Sequence, residues 1–201
     1  GTNMTYTEFE QKLACHCAPA LAGIKPANLF SVRTEDSGGL SELVDSYQER
    51  FQKRGICFQI LCRCSRRTLV MVYRPDILQK DLETAEARAL LKQFGYKVGA
   101  QGTSLHLPDL LELLARRIEK GGNCGFPHEI GLFLGYPIDD VTGFIQNRGD
   151  NYLYSGYWKV YSDVQKAKSQ FTRYETVKAG MLRVMGRGKT ICQMFGVTPA
   201  A

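Results

Sequence analysis

Two segments of this chain concentrate side chains able to do chemistry. The first, Cys15-His16-Cys17-Ala18-Pro19, joins two thiols to an imidazole. A thiolate is a nucleophile and a soft metal ligand, and a neighbouring imidazole or helix end can bring its pKa toward neutrality. In a helix, residues 15 and 17 point about 200° apart, so one metal takes both only where the helix frays. The competing reading is a buried, inert thiol beside an exposed histidine. The second segment, Gly121-Gly122-Asn123-Cys124-Gly125-Phe126-Pro127-His128-Glu129, is a glycine-rich approach to a helix. Small residues let the backbone come close to a ligand, and free N–H groups at a helix start favour anions. Pro127 suits a first helical turn and leaves His128 and Glu129 near that positive end. Gly122, Gly125 and His128 are the candidate anion contacts; the alternative is a helix stop followed by a helix start.

Other motifs carry less. Cys62-Arg63-Cys64 follows Cys57 on a strand-like segment, with Cys62 and Cys64 on one face and Cys57 on the other. The spacing within a zinc-binding thiol pair is missing, so ordinary strand packing is expected. His128-Glu129 is not a zinc-protease motif, because Leu132 stands where a second histidine is required. Gly186-Arg187-Gly188-Lys189-Thr190 ends like a phosphate-binding loop, but Arg183 occupies the position of its first glycine and a helix precedes it. Residues 129–145 have helix-turn-helix spacing, with Gly131 at the close contact and Gly135 in the turn. Its outward residues would be Asp139, Asp140, Thr142 and Gln146, and carboxylates facing phosphates oppose binding, so nucleic acid is not the expected partner. Tyr157, Trp158 and Tyr161 suit either stacking on a flat ligand or core packing.

Two functions therefore compete. One is a Cys/His site for thiol-redox or metal chemistry. There Cys17 is the nucleophile, His128 the base and Glu129 the group orienting it, or His16, Cys17 and His128 are metal ligands. No rule of sequence brings residues 17 and 128 together, so this depends on the fold. The other is a non-catalytic module holding a small anionic molecule or a protein partner at the Gly121–His128 loop.

The elements that must position these residues follow from periodicity. Phe9, Leu13 and Cys17 mark a helix ending before Pro19, and residues 28–33 a strand. Leu40, Leu43, Val44, Tyr47 and Phe51 mark an amphipathic helix stopped by Gly55. Residues 56–64 and 68–73 form a hairpin, with Ile56, Phe58, Ile60, Cys62 and Cys64 alternating along one face. One helix opens at Pro75 and stops at Gly95, and another opens at Pro108 and closes at Gly121-Gly122. Two short helices divide at Gly135-Tyr136-Pro137, residues 156–161 form a last strand, and Ser162 caps a long basic helix over 162–190. The expected fold is α/β, with α+β as the alternative. It has one domain over 1–201 and one sheet of about four strands among about seven helices.

Bulk composition bounds the function. With 44% hydrophobic and 23% charged residues, a packed core is expected, and no run of about 18 apolar residues offers a membrane span. Seven cysteines without a small secreted scaffold, behind an N-terminus lacking a basic or apolar leader, point to reduced thiols and a cytoplasmic location. The formal charge of +6 permits an anionic partner without demanding one. Composition leaves the oligomeric state open.

Taken together, three motifs resemble a bacterial family known as a domain of unknown function. They are His16-Cys-Ala-Pro19 with Leu21-Ala-Gly-Ile-Lys25; Phe126-Pro-His-Glu-Ile-Gly-Leu-Phe-Leu-Gly-Tyr-Pro137 with Asp140-Val141 and Gly143-Phe-Ile145; and Gly156-Tyr-Trp-Lys-Val-Tyr161. The resemblance covers residues 10 to 175 and implies a cytoplasmic protein of this length, without implying an activity. Cys57, Cys62, Cys64 and Cys192 lie outside the segments that carry it, which weakens a multi-cysteine metal site as a family property.

Overall fold

Strand β3 (Arg67–Tyr73) is the middle of the main three-stranded sheet because a strand on each side pairs with it. Strands β1 (Ala27–Arg33) and β2 (Cys57–Arg63) are each antiparallel to it. Val70 and Val72 from β3, Phe30 and Val32 from β1, and Phe58 from β2 point to one face. There they meet the apolar stripes of α1 (Tyr6–Leu21) and α2 (Leu40–Phe51) in a core centred on Phe9, Leu13, Tyr47 and Phe51. The structure is a computed structural model, and it describes residues 3–121 and 125–199.

Contacts divide the chain into two units. One holds the described residues up to Asp76 together with those from Thr176 onward, and the other is Ile77–Glu175. The first contains α1, β1, α2, β2, β3 and the short α9 (Ile191–Met194). The second contains α4 (Ala85–Gln93), α5 (Leu107–Gly121), α6 (Ile130–Phe133), α7 (Ile138–Asn147) and the strands β4 (Tyr154–Ser155) and β5 (Lys159–Val160). Helix α3 (Pro75–Leu82) spans the first boundary in the chain and α8 (Val164–Gly186) the second.

The fold is a mixture of helices and antiparallel strands, and it departs from the expected single sheet. Residues 156–161 do not add a fourth strand. Gly156-Tyr157-Trp158 is instead the turn of a separate two-stranded ribbon, in which Tyr154 pairs with Val160 and Ser155 with Lys159. Nine α-helices stand among the described residues, against about seven expected. The added ones come from a split and a short cap. The apolar positions 78, 82, 85 and 89 suggest one helix, but Ala85 and Ala89 are exposed while Ala87, Leu90 and Leu91 are buried. The phase changes where Thr84 caps α4 by accepting from the Ala87 N–H at 3.2 Å.

Helix α1 continues through Pro19 instead of ending before it. Proline lacks the N–H that would continue the ladder. The following Ala20 N–H is taken by Asn28 Oδ1 at 2.9 Å, and Arg74 donates to the Ala20 and Leu21 carbonyls. On β2, a bulge shifts the register between Ile60 and Cys62. Cys62 therefore pairs with Leu69 and lies on the same face as Cys57, which pairs with Tyr73, reversing the expected arrangement. The last long helix starts at Val164 instead of Ser162, with Asp163 Oδ1 accepting from Lys166 N at 3.0 Å. It ends at Gly186, and Thr190, in the loop-like 186–190 segment, forms a capping box with Gln193 at the start of α9.

Three glycines in the second unit seat aromatic rings. A Cβ on Gly131 would lie 2.6 Å from Tyr136 and 2.9 Å from Val141, one on Gly143 would lie 2.5 Å from Tyr161, and one on Gly156 would enter the Phe171 ring. Gly156→Ala is therefore expected to lower stability by about 1–3 kcal/mol through overpacking against Phe171. Thermal unfolding of the variant checks this, and an unchanged Tm would show that the ring can yield.

Candidate functional site

Asp140 lies in the first turn of α7, where the sequence spacing suggested an outward side chain. It is buried instead, because four donors converge on it. Trp158 Nε1 donates to Oδ2 at 2.8 Å; the Tyr161 N–H, the Ser162 N–H and the Ser162 hydroxyl donate to Oδ1 at 2.9, 3.1 and 2.8 Å. A buried carboxylate needs such partners, since desolvation of an unpaired charge costs several kcal/mol. These bonds tie α7 to β5 and to the start of α8, and they fix the indole of Trp158 by its edge.

With its edge fixed, the indole forms a wall. Tyr136 stacks on it at 5.0 Å and 28°, and Phe171 meets it edge-on at 4.6 Å. The wall closes one side of a cavity of about 370 Å³ within the second unit. Phe126, Pro127 and His128, Val141 and Phe144 of α7, and Ser155, Tyr157 and Lys159 of the ribbon also line it. His128 stands edge-on to Phe144 at 5.3 Å. Lys159 donates to the Gly149 carbonyl at 2.7 Å and lies 4.9 Å from the Tyr152 ring.

The candidate residues distribute as follows. His128 lines this cavity, and Gly125 precedes the lining segment with a positive φ of 91°. Gly122 lies outside the described residues, as does Cys124. Glu129 is fully buried and turned elsewhere. It accepts from Tyr96 at 2.8 Å and from Arg117 through Nη2 at 3.0 Å and through Nε. Among the described residues it makes no hydrogen bond to His128. Cys17 and His16 belong to the first unit and His128 to the second.

Within α1, Cys17 is fully buried, Cys15 half-buried and His16 exposed. The helix runs on to Leu21, so the frayed end that would let both thiols reach one metal does not form. Burial pushes the Cys17 thiol far above its ordinary range, partly offset by Lys25. A thiol held protonated is a poor nucleophile and a poor ligand. Burial, then Lys12 and Lys178, lowers the pKa of His16. Among the described residues, no group of three or more His, Cys, Asp or Glu side chains is placed to hold a metal ion. Helix-turn-helix spacing is present only in outline, since α6 has four residues and Asp140 faces inward. Trp158 and Tyr157 are stacking candidates by residue type, but nothing in the spacing points to Asp140, which orients Trp158. An indole and a carboxylate 18 residues apart carry no shared spacing.

The chain belongs to a family described as a protein of unknown function (DUF3793), whose model matches residues 13–195. No curated protein and no solved structure matches it. Among the described residues, no helix is long and apolar enough to cross a membrane.

Asp140→Asn places an amide N–H among four donors, and a stability loss of about 2–4 kcal/mol is expected. Urea unfolding measures it; a variant as stable as the parent would show that the carboxylate is not organising this region. Lys25 provides a second test. Its ammonium donates to the Ala27 carbonyl at 3.0 Å, and burial lowers its pKa from 10.5 to about 8. Between those values the unfolded chain holds a proton that the folded chain has released, so this residue's contribution to stability rises with pH. The stability of the parent relative to Lys25→Met should therefore increase from pH 8 to 10.5, by at most about 3 kcal/mol. Cys17, shifted the opposite way, is common to both chains. A difference that stays flat across this window would mean that Lys25 keeps its ordinary pKa.

Proposed function

We propose that the Ile77–Glu175 unit is a binding module, and that its cavity takes a planar, largely apolar ligand by stacking. The observation that carries this is the concentration of exposed rings at one place. Six large hydrophobic side chains are exposed among the described residues; Phe126 and Tyr157 line the cavity, and Tyr152, Leu153 and Tyr154 lie in the chain segment that leads to its lining residue Ser155. Exposed apolar surface gathered around a concavity marks an interaction site. The cavity is at the small end of ligand pockets, which start at about 300 Å³.

The same geometry argues for binding over catalysis. Both oxygens of Asp140 are occupied by donors, Glu129 is held by Arg117 and Tyr96, and the Cys17 thiol is buried and protonated. Three of the side chains able to act as base or nucleophile are thus engaged in holding the fold. What remains open to a ligand is aromatic surface with His128, Ser155 and Lys159 at its edge. The family resemblance also rests largely on these segments, since Phe126–Pro137, Asp140–Ile145 and Gly156–Tyr161 supply nearly all of the lining.

Trp158 is the sole tryptophan, so one indole N–H resonance reports on the cavity. Titration of ¹⁵N-labelled protein with naphthalene-2-carboxamide is expected to shift that resonance saturably, and Tyr136→Ala is expected to weaken the binding about tenfold, the loss of one stacked ring. An indole resonance indifferent to this probe and to related planar compounds would refute the reading.

A further inference from the structure

The cavity lining is mostly apolar and aromatic but includes the cation of Lys159. Lys159 Nζ lies 5.8 Å from the centroid of the Phe144 ring, and the His128 ring meets the same Phe144 at 5.3 Å. Lysine and imidazole thus both contact the Phe144 ring. The ammonium is held in place by the Gly149 carbonyl at 2.7 Å and by the Tyr152 ring. An ammonium has three N–H donors, and that carbonyl takes one of them.

The single carboxylate in the described lining is Asp140, and it does not oppose an anion here. Its oxygens face the indole N–H, the two backbone N–H groups and the Ser162 hydroxyl, and it is buried behind the Trp158 edge. The Tyr157 hydroxyl donates away from the cavity to Glu175. The lining thus combines flat aromatic surface with a held cation and an imidazole.

We infer that the ligand is a planar ring carrying an anionic group, with the ring against the Trp158–Tyr136 side and the anion at Lys159 and His128. This rests on the reading of the cavity as a binding site and adds the ligand's charge to it. A nucleoside monophosphate and an aromatic carboxylate share this chemistry. Charge-assisted hydrogen bonds in a partly desolvated cavity are about twice as strong as neutral ones, which gives the anion its preference. Lysine serves as a point charge for either kind of anion.

The test compares charged and uncharged forms of the same ring by the Trp158 indole resonance: naphthalene-2-carboxylate against naphthalene-2-carboxamide, and adenosine monophosphate against adenosine. In at least one pair the anion is expected to bind about tenfold more tightly, and the pair that shows it identifies which kind of anion the cavity takes. Lys159→Gln should remove that preference while leaving the neutral compound within about twofold, and Lys159→Arg should keep it. Retention of the indole resonance at its parental position in both variants shows that the cavity is intact. Neutral compounds binding as tightly as their anions, or a preference surviving in Lys159→Gln, would overturn the inference while leaving the binding module standing. If neither member of any pair moves the resonance, the binding reading itself fails, and this inference falls with it.

Discussion

The second unit depends on one buried carboxylate. Asp140 collects donors from a side chain on the ribbon turn, from the backbone after β5, and from the residue before the α8 cap. These segments have little hydrogen-bonded structure of their own: β4 and β5 have two residues each. An isolated two-stranded ribbon is marginal in water, so it must be held by something outside itself. The Asp140 bonds do that, and they do it at the point where the ribbon presents Trp158. The indole is thereby held in one orientation by its edge.

The same solution recurs elsewhere. In the first unit Glu10 is buried and accepts from the Tyr47 hydroxyl at 2.7 Å and from the Ile191 N–H at 2.6 Å. A four-residue helix such as α9 leaves its first N–H groups without internal partners, and Glu10 supplies one from across 181 residues of chain. Arg88 does the converse in the second unit, donating to the carbonyls of Glu83, Ala100 and Val98. A charged group meeting several backbone groups satisfies irregular chain that neither a helix nor a sheet can satisfy. Short elements joined by such side chains explain how this unit holds loops where a long sheet is absent.

What the sequence made legible was whatever repeats locally. The stripe Leu40, Val44, Tyr47, Phe51 is buried along α2 as its spacing required, and Leu110, Leu111, Leu114 and Ile118 are buried along α5. The hairpin of β2 and β3 was legible for the same reason. Alternation on β2 breaks down, because a bulge costs one residue of phase and leaves no mark in composition. Helix-turn-helix spacing correctly placed Gly135 in a turn at a φ of 78° and Gly131 at a close contact. It turned Asp140 outward because an acidic residue in a first helical turn is ordinarily solvated, and only the indole 18 residues later reverses that preference.

The candidate site was half legible for a related reason. His128 was found as a reactive type beside a glycine-rich turn, and it does line the cavity. Cys17 was found by the same logic, yet it serves as core among Phe9, Leu13 and Phe30. Reactive residue types announce what a side chain can do, whereas exposure decides whether it does so. Aromatic residues are the opposite case. Their types suggest core, and in this unit the informative property is that Phe126 and Tyr157 stay 50% and 41% exposed beside a cavity. Gly156 connects the two facts: its bare backbone lets the Phe171 ring pack against the ribbon turn, where Trp158 is buried and Tyr157 stays exposed. The glycine and aromatic residues of the Gly156–Tyr161 motif are therefore one device, in which the missing side chain is what makes room for the wall.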